Sequence, residues 1–343
     1  MNPRARNVGV LGGGSWGTSI AHMLGSNGHR VLLWLRDEST RESINTRHVN
    51  DRYLPDHPIS ERVEATDDLA EIGERCYVIF CVIPSHAMRG VAAELGRYVK
   101  GDQVLIHATK GIEADVDRHV YRRMSEVLRE ETCARKIGVL SGPNLAKEIM
   151  AGQPAATVVA SKFPEAIKVT QELLVSPTLR VYGNHDVVGV EVGGALKNII
   201  ALASGFVNGL GLGDNTKAML LTRGLAEITR MGVALGADPL TFSGLSGIGD
   251  LMCTCASPLS RNYQVGARLA RGEALEDILE SMGQVAEGVK TTRAAKGLAD
   301  NLGVVMPITE AIYRILYENL PVSDAMRALM TRDPRSEVEY RGR

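Results

Sequence analysis

The sequence lacks a strong net charge and long hydrophobic runs. Its 39 basic and 40 acidic side chains give a formal charge of -1 at pH 7, so charge gives no reason to expect nucleic acid or an anionic membrane as partner. No stretch approaches the roughly 18 uninterrupted apolar residues of a membrane span. The first apolar run is also far shorter than the roughly 7 to 15 residues of a signal-peptide core. We therefore expect a cytoplasmic protein without a membrane span.

Cysteine is scarce, with five residues in 343. The number is odd, and only Cys253 and Cys255 lie close together, spaced C-x-C rather than the C-x-x-C of zinc and redox sites. We expect reduced, mostly buried thiols and no metal site. Internal repeats and long Pro- or Ser-rich linkers are missing too, which excludes a solenoid.

What the sequence has is the length and composition of a two-domain globular protein, with 44% hydrophobic and 23% charged residues. Its first half alternates helical segments with strand-like apolar runs, an order that predicts a parallel, doubly wound sheet. The predicted strands are Val8–Leu11, Arg30–Leu35, Tyr77–Ile83, Val104–His107, Ile137–Leu140, Thr157–Ala160 and Leu179–Tyr182. From Asp186 onward the apolar residues fall at helical spacing. We therefore predict an α/β, Rossmann-type domain at 1–185 and an all-helical domain at 186–343, with a small-molecule site at their junction.

A glycine-rich turn follows the first predicted strand, in the segment VGVLGGGSWGTSI. Gly12, Gly14 and Gly17 have the spacing G-x-G-x-x-G between a strand and a helix. In dinucleotide-binding folds the first glycine permits a tight turn, the second admits a pyrophosphate, and the third lets helix and strand pack closely. Ser15 and Trp16 lie on the same turn, although Trp16 could equally anchor the first helix in the core.

The end of the second predicted strand bears on the choice of cofactor. Such strands usually end in Asp or Glu when the ribose 2′-hydroxyl is bound, whereas an arginine there accommodates the 2′-phosphate of NADPH. Here Arg36 follows the apolar run directly and Asp37 comes next. We favour Arg36 at the ribose, with use of both cofactors or a preference for NADPH. If Asp37 holds that position instead, NADH is preferred.

Polar residues within an apolar helical segment indicate a second site, because burying them unpaired costs free energy. The segment EVGGALKNIIALASG contains Lys197 and Asn198. An isolated lysine at a helix edge would usually extend its amine to solvent.

Three other segments supply polar groups beside glycine or proline, namely ATKGIE, LSGPNLAKE and GLSGIGDLMCTCASPLSRN. Lys110 follows a predicted strand, and such sheets bind ligands outside the carboxyl ends of their strands. Asp250 lies in a glycine-rich loop, where it either binds a ligand or bonds its own backbone. The triplet Ser260, Arg261, Asn262 suits a phosphate, although Ser260 could instead cap a helix.

Taken together, these segments resemble the bacterial type of NAD(P)-dependent glycerol-3-phosphate dehydrogenase, as do GLGLGDNTKAMLLTRGLAEITR and VAEGVKT. The resemblance covers nearly the whole chain. It implies reversible reduction of dihydroxyacetone phosphate by NADH or NADPH to sn-glycerol 3-phosphate, the backbone of glycerophospholipids. It also implies a small phosphorylated substrate and is compatible with a homodimer. Asn144 and Leu145 depart from the family, which usually has Ser or Thr followed by an aromatic residue.

The resemblance also implies roles for individual residues. Lys197 would exchange a proton with the substrate oxygen, Lys110 would be a second cation, and Asp250 would orient the lysine or hold a substrate hydroxyl. The implied substrate contacts are Lys110, Gly142, Asn144, Lys197, Asn198, Asp250, Ser260, Arg261 and Asn262. The implied cofactor contacts are Gly12, Gly14, Ser15, Trp16, Gly17, Arg36, Lys110, Ala146, Arg261, Val285 and Glu287.

Three alternatives share part of this pattern. A hydroxyacid or phosphogluconate dehydrogenase would have the glycine turn and a helix lysine but not the Ser-Arg-Asn triplet. A cofactor-binding redox sensor without catalysis would leave Lys110, Lys197 and Asp250 without a shared purpose. A nucleotide-sugar dehydrogenase would need a cysteine nucleophile, for which Cys253 and Cys255 are the only candidates in a motif-bearing loop.

Overall fold

The computed structural model describes residues 6–282, 286–333 and 336–337. The strands are β1 (Asn7–Leu11), β2 (Arg30–Trp34), β3 (Val49–Asn50), β4 (Leu54–Pro58), β5 (Val63–Thr66), β6 (Val78–Cys81), β7 (Val104–His107), β8 (Ile112–Asp115), β9 (Val120–Arg123), β10 (Lys136–Ser141), β11 (Ala155–Ser161) and β12 (Leu179–Asn184). Eight of them form one sheet in the order β12-β11-β10-β7-β6-β1-β2-β5, while β3–β4 and β8–β9 form separate pairs.

Helices flank this sheet and make up the second half of the chain. They are α1 (Ser15–Ser26), α2 (Glu38–Arg47), α3 (Leu69–Arg75), α4 (Ser85–Leu95), α5 (Met124–Glu131), α6 (Ala146–Met150), α7 (Pro164–Leu174), α8 (Val187–Gly209), α9 (Asp214–Ala234), α10 (Asp250–Ala256), α11 (Arg261–Ala270), α12 (Leu275–Met282), α13 (Glu287–Leu302), α14 (Pro307–Tyr317) and α15 (Val322–Met330). Short 3-10 and π-type turns, Pro239–Ser243 and Leu245–Gly249, precede α10.

The main sheet confirms the predicted doubly wound fold, with one departure from a parallel arrangement. All seven predicted strands occur within it, and the block from β10 to β5 pairs in parallel throughout. However, β11 runs antiparallel to β10. The connection between them holds only the five-residue helix α6, which is too short to return the chain along the sheet as a parallel crossover requires.

Three strand pairings were not predicted because their sequences lack apolar runs. The edge strand β5 has the sequence VEAT and buries only alternate residues. The β8–β9 pair, IEAD and VYRR, is mostly exposed or half-buried, and the short β3–β4 pair is similarly polar. Edge and surface strands therefore carry a weaker apolar signal than the buried centre of a parallel sheet.

The second half of the chain is built around α8. No strand occurs after Asn184 in the described part of the chain, which agrees with the predicted change of class. Helices α9, α10, α11 and α13 all pack on α8, which also contacts β10 and β11 of the sheet. By length and composition alone α8 could cross a membrane, but 94% of its most apolar 18-residue stretch is buried inside the protein. It is thus the core helix joining the two halves, while the division into domains at 185 stays a prediction.

Candidate active site

The turn between β1 and α1 has the shape that a dinucleotide requires. Gly12 has a φ of 113°, and a Cβ there would lie 2.4 Å from the Val82 carbonyl oxygen. A Cβ on Gly17 would lie 1.9 Å from the Gly12 carbonyl oxygen, so only glycine permits this packing. Gly14 faces open space, and α1 begins there with neither a side-chain cap nor an acidic residue in its first turn. Free N–H groups and open space at a helix start fit a pyrophosphate.

Ser15 and Trp16, predicted on the glycine turn, are the first two residues of α1 and contact the protein itself. The Ser15 hydroxyl donates to the Tyr53 carbonyl oxygen at 3.4 Å. Trp16 is half-buried and packs against the core of the sheet, while its buried Nε1 has no hydrogen-bond partner among the described residues. The position of Trp16 therefore agrees with the alternative in which it anchors the first helix.

Arg36 and Asp37, which lie two and three residues after β2, have different environments. Asp37 is the N-cap of α2 and accepts hydrogen bonds from the Thr40 hydroxyl at 2.5 Å, the Thr40 backbone N–H at 2.9 Å and the Ser39 hydroxyl at 2.9 Å. These bonds, those from Thr40 foremost, lower the pKa of Asp37 to about 2. Arg36 is exposed beside it. The carboxylate is thus engaged in capping a helix, while the guanidinium is accessible at the end of the strand.

A buried carboxylate joins the two lysines. Asp250, which is 1% exposed, accepts a hydrogen bond from Lys110 Nζ on Oδ2 at 2.6 Å and a second from Lys197 Nζ on Oδ1. Lys197 also donates to the Thr254 hydroxyl, one helical turn after Asp250. The lysines come from different halves of the chain, since Lys110 follows β7 and Lys197 lies within α8. The fold therefore brings all three proposed catalytic residues together.

This environment alters the basicity of Lys197. Burial lowers its pKa from an ordinary 10.5 to about 8, and the nearby charge of Lys110 acts in the same direction. Asp250 opposes both effects because its negative charge and hydrogen bond favour the ammonium. Lys197 can therefore both donate and accept a proton near neutral pH, as a general acid–base requires.

The segment after β10 lies beside the lysines. Gly142 has a φ of 134° and accepts a hydrogen bond from Lys110 Nζ on its carbonyl oxygen at 3.1 Å. The Asn144 side-chain N–H donates to the Thr157 hydroxyl at 3.0 Å. The buried Oδ1 of Asn144 has no hydrogen-bond partner among the described residues. Ala146 is half-buried at the start of α6. A fixed amide with an unused acceptor is suited to a ligand hydroxyl.

The Ser-Arg-Asn triplet stands at the start of α11, and its three side chains have different environments. Ser260 is the N-cap of α11 and accepts from the Tyr263 backbone N–H at 3.4 Å, so it has the capping role considered as an alternative. Asn262 is buried, and its Oδ1 accepts from the Gly288 N–H at 2.9 Å. Arg261 is exposed at the start of α11 and forms no ion pair with any residue in the described ranges. Burial of part of its side chain lowers the pKa of the guanidinium, while the negative charge of Glu287 acts in the opposite direction. Of the three, Arg261 has the side chain most accessible to an anion.

Two of the remaining predicted contacts, Asn198 and Glu287, lie around the Lys110 loop. The Asn198 amide donates to the Lys110 carbonyl oxygen at 3.4 Å. The Glu287 carboxylate accepts from the Ser85 N–H at 2.9 Å and from the Ser85 hydroxyl at 2.6 Å, which links the start of α13 to the start of α4. Val285 lies outside the described residues.

The cysteines do not resemble nucleophiles. All five are free, and Cys76, Cys81 and Cys255 are buried, in agreement with the predicted reduced thiols. Burial raises the pKa of Cys255 to about 12 and also raises that of the half-buried Cys253. A thiolate is therefore disfavoured at both positions, which argues against the nucleotide-sugar alternative.

Sequence reasoning missed two residues in this region, Thr254 and Ser85. Asp250 is the first residue of α10 rather than a loop residue, and the four-residue spacing to Thr254 places both on one face of that helix. Recognising this helix would have identified Thr254. Nothing in the sequence relates Ser85 to Glu287, because they lie 202 residues apart.

Comparison with known proteins matches both halves of the chain. The model of the NAD-dependent glycerol-3-phosphate dehydrogenase N-terminus matches residues 7–167, and that of the C-terminus matches residues 186–327. The glycerol-3-phosphate dehydrogenase (NAD(P)+) of Enterococcus faecalis is 46% identical over 338 residues, which cover 98% of each chain. That of an Exiguobacterium species is 47% identical over 336 residues, 97% of each chain.

Solved structures agree with these matches. A crystal structure of glycerol-3-phosphate dehydrogenase from Coxiella burnetii has a TM-score of 0.91 and 35% identity, covering 96% of this chain and 100% of that one. A Saccharomyces cerevisiae glycerol-3-phosphate dehydrogenase has a TM-score of 0.82 and 30% identity, covering 94% and 99%. The similarity thus extends over the sheet and the helical half together.

Proposed function

Because the chain belongs to the NAD-dependent glycerol-3-phosphate dehydrogenase family, we propose that Lys197 exchanges the proton of the reaction. The enzyme reversibly reduces dihydroxyacetone phosphate to sn-glycerol 3-phosphate with NAD(P)H. The observation that carries the proposal is the buried contact of Lys197 and Lys110 with one carboxylate, Asp250.

The reaction requires stabilisation of the substrate oxygen at C2. Bound NAD(P)H supplies the hydride that adds to this carbon. As negative charge grows on the ketone oxygen, the Lys197 ammonium donates its proton to that oxygen and stabilises the charge. In the reverse direction the neutral amine of Lys197 takes the hydroxyl proton. Lys110 keeps a second positive charge near the same oxygen, and Asp250 holds both amines in place.

The substrate phosphate is assigned to Arg261. Its exposed guanidinium can form two parallel hydrogen bonds to phosphate oxygens. Asn262 keeps its amide N–H groups for the same anion while its oxygen accepts from Gly288, and Ser260 supports both by starting the helix. Gly142, Asn144 and Asn198 complete the substrate contacts, the first two from the segment after β10.

The cofactor is assigned to the glycine turn and the loops beside it. The turn from Gly12 to Gly17, with Ser15 and Trp16, would hold the pyrophosphate and its neighbourhood. Ala146, Val285 and Glu287 are assigned to the nicotinamide end by the family resemblance. Arg36 is assigned to the 2′-phosphate of NADPH, which is supported by the engagement of Asp37 as a helix cap. We therefore infer that the enzyme uses both cofactors and prefers NADPH.

The direct test follows the absorbance of NADH or NADPH after addition of dihydroxyacetone phosphate. Oxidation of either cofactor that depends on this substrate supports the proposal, and unphosphorylated dihydroxyacetone serves as the control for phosphate recognition. Absence of oxidation with both cofactors contradicts it. Cofactor binding without turnover would favour the redox-sensor alternative, and turnover of other hydroxyacids in a substrate panel would favour the related dehydrogenases.

Two broader features belong to the same proposal. A homodimer is supported by the family resemblance alone, and light scattering of the purified protein would test it; a monomer mass at working concentration contradicts it. A cytoplasmic location is supported by the free cysteines, and fractionation of cells would test it.

A further inference from the structure

A second buried carboxylate, Glu191, lies on the same helix as Lys197. Its Oε1 accepts from the Ser125 backbone N–H at 2.8 Å and lies 3.0 Å from His107 Nε2. Its Oε2 accepts from the Ser125 hydroxyl at 2.8 Å and from an Arg123 N–H at 2.6 Å. Glu191 is 7% exposed, so these contacts form inside the protein. The proposed reaction uses none of them.

The partners of Glu191 flank the segment that carries Lys110. His107 ends β7, three residues before Lys110, and Arg123 ends the β8–β9 pair that follows it. Both ends of the 107–123 segment thus contact one carboxylate on α8. Lys110 itself lies in a loop after its strand, where it is linked to α8 through Asp250 and through the Asn198 amide, which donates to the Lys110 carbonyl oxygen at 3.4 Å. Glu191 adds a charged contact at each end of the segment around it.

We propose that Glu191 is a positioning residue, which fixes the Lys110 segment on α8 and thereby sets the distance of Lys110 from Lys197 and Asp250. The inference rests on the proposed function in one respect, namely that Lys110 takes part in the reaction. Glu191 itself is buried and is not among the residues assigned to the substrate or the cofactor.

The charge of Glu191 is present under working conditions. Burial alone would raise its pKa, but the contacts with His107 and Arg123 and the bond from the Ser125 N–H outweigh burial and lower it. A buried ion pair contributes little net free energy of folding, but removing one partner leaves a buried unpaired charge that destabilises the fold. The ion pair also fixes geometry, because a charge-assisted hydrogen bond such as that from Arg123 is short and directional.

The test compares Glu191→Gln with Glu227→Gln. Glu227 is also a buried acidic residue, on α9, and it accepts the N–H groups of Ile308 and Thr309 at the start of α14. Unlike Glu191, it has a pKa that burial raises to about 7, and it lies on a different helix pair from the Lys110 segment. We expect Glu191→Gln to lower kcat roughly ten- to hundredfold, the cost of a small misplacement of a catalytic group, with KM for dihydroxyacetone phosphate nearly unchanged. Glu227→Gln should lower the melting temperature while kcat stays within about twofold.

A pH profile separates positioning from stability. Lys197 faces Lys110 on the β7 loop and Asp250 on α10, with the Cys253 and Cys255 thiols nearby. If Lys110 moves away in Glu191→Gln, the repulsion that lowers the pKa of Lys197 weakens. The alkaline limb of kcat for reduction should then move to higher pH, whereas a loss of stability alone leaves it in place.

The double variant Glu191→Gln/Lys110→Met identifies the route of the effect. If Glu191 acts through Lys110, the double variant loses no more activity than Lys110→Met alone. Multiplied losses, or an unchanged pH profile in Glu191→Gln, overturn the inference. If Lys110→Met itself retains full activity, the proposed function is at fault instead. Should Glu191→Gln fail to fold, Ser125→Ala removes only one bond to the carboxylate and should change the same profile in the same direction by less.

Discussion

Replacing Asp250 by asparagine should change the pH dependence of the reaction as well as its rate. Asp250 is the only negative group in contact with Lys197 among the described residues, and it also binds Lys110. Asparagine keeps the shape but removes the charge that raises the pKa of Lys197. Burial and Lys110 then act without opposition, so the pKa of Lys197 falls below its present value of about 8.

The size of the effect follows from the bond that is lost. A hydrogen bond to a charged group contributes about 1.5 to 3 kcal/mol, and a pKa changes by one for each 1.36 kcal/mol or so. The limb assigned to Lys197 should therefore move about one to two pH units lower. In the reduction direction Lys197 must be protonated, so activity falls above its pKa and the variant loses activity already near pH 7. In the oxidation direction the neutral amine is required, so the variant reaches its plateau at lower pH.

The assay measures kcat against pH in both directions at saturating substrate, with Asp214→Asn as the control. Asp214 is an exposed aspartate that pairs with Lys217 on the surface of α9, and its replacement should leave both profiles unchanged. A lower rate in Asp250→Asn with both limbs at their original pH would refute the reasoning. In that case Asp250 would orient groups without setting the protonation of Lys197.

Two further predictions concern substrate and cofactor recognition. Arg261→Ala should raise KM for dihydroxyacetone phosphate far more than it lowers kcat, because a bond to phosphate exists in the ground and transition states alike; Arg268→Ala, on the same helix and paired with Glu273, is the control. An equal loss with unphosphorylated dihydroxyacetone would show that Arg261 is not the phosphate ligand. Arg36→Ala should weaken NADPH binding more than NADH binding by about 1.5 to 3 kcal/mol, and added salt should reduce the preference of the original enzyme. The control is Arg30→Ala, at the exposed start of β2, which should leave the binding of both cofactors unchanged. Equal weakening of NADH and NADPH binding by Arg36→Ala would contradict the assignment.

Much of the fold could be predicted because buried strands and core helices carry strong apolar patterns. The central strands of the sheet, β10, β7, β6, β1 and β2, are nearly continuous apolar runs, such as VLIH in β7. The edge strand β5 could not be predicted, since its exposed Glu64 interrupts the pattern. The antiparallel direction of β11 was also missed, because direction depends on how far a connection can carry the chain and not on the strand's own residues.

The candidate site was predictable in outline for a different reason. Lys110 and Gly142 follow neighbouring strands, and strand ends of a parallel block meet at one edge of the sheet. The partners of each group were not predictable, because Lys110 and Asp250 lie 140 residues apart and no local rule connects them. The same limit applies to Glu191, which the sequence shows only as one polar residue in an apolar helix. Ser260 differs, because its capping bond from the Tyr263 N–H is local and was one of the two alternatives that the sequence suggested.

The most direct test of the proposed mechanism is the rate of Lys197→Met in both directions. Methionine keeps a similar length but removes the amine, so kcat should fall by roughly 10² to 10⁴, the usual contribution of general acid–base catalysis. Binding of NADH and NADPH should be retained. The control is Lys217→Met, which replaces a half-exposed lysine of α9 that pairs with Asp214 and should have normal activity. A Lys197→Met enzyme with nearly normal kcat would contradict the account and transfer the proton exchange to another group, with Lys110 the first to examine.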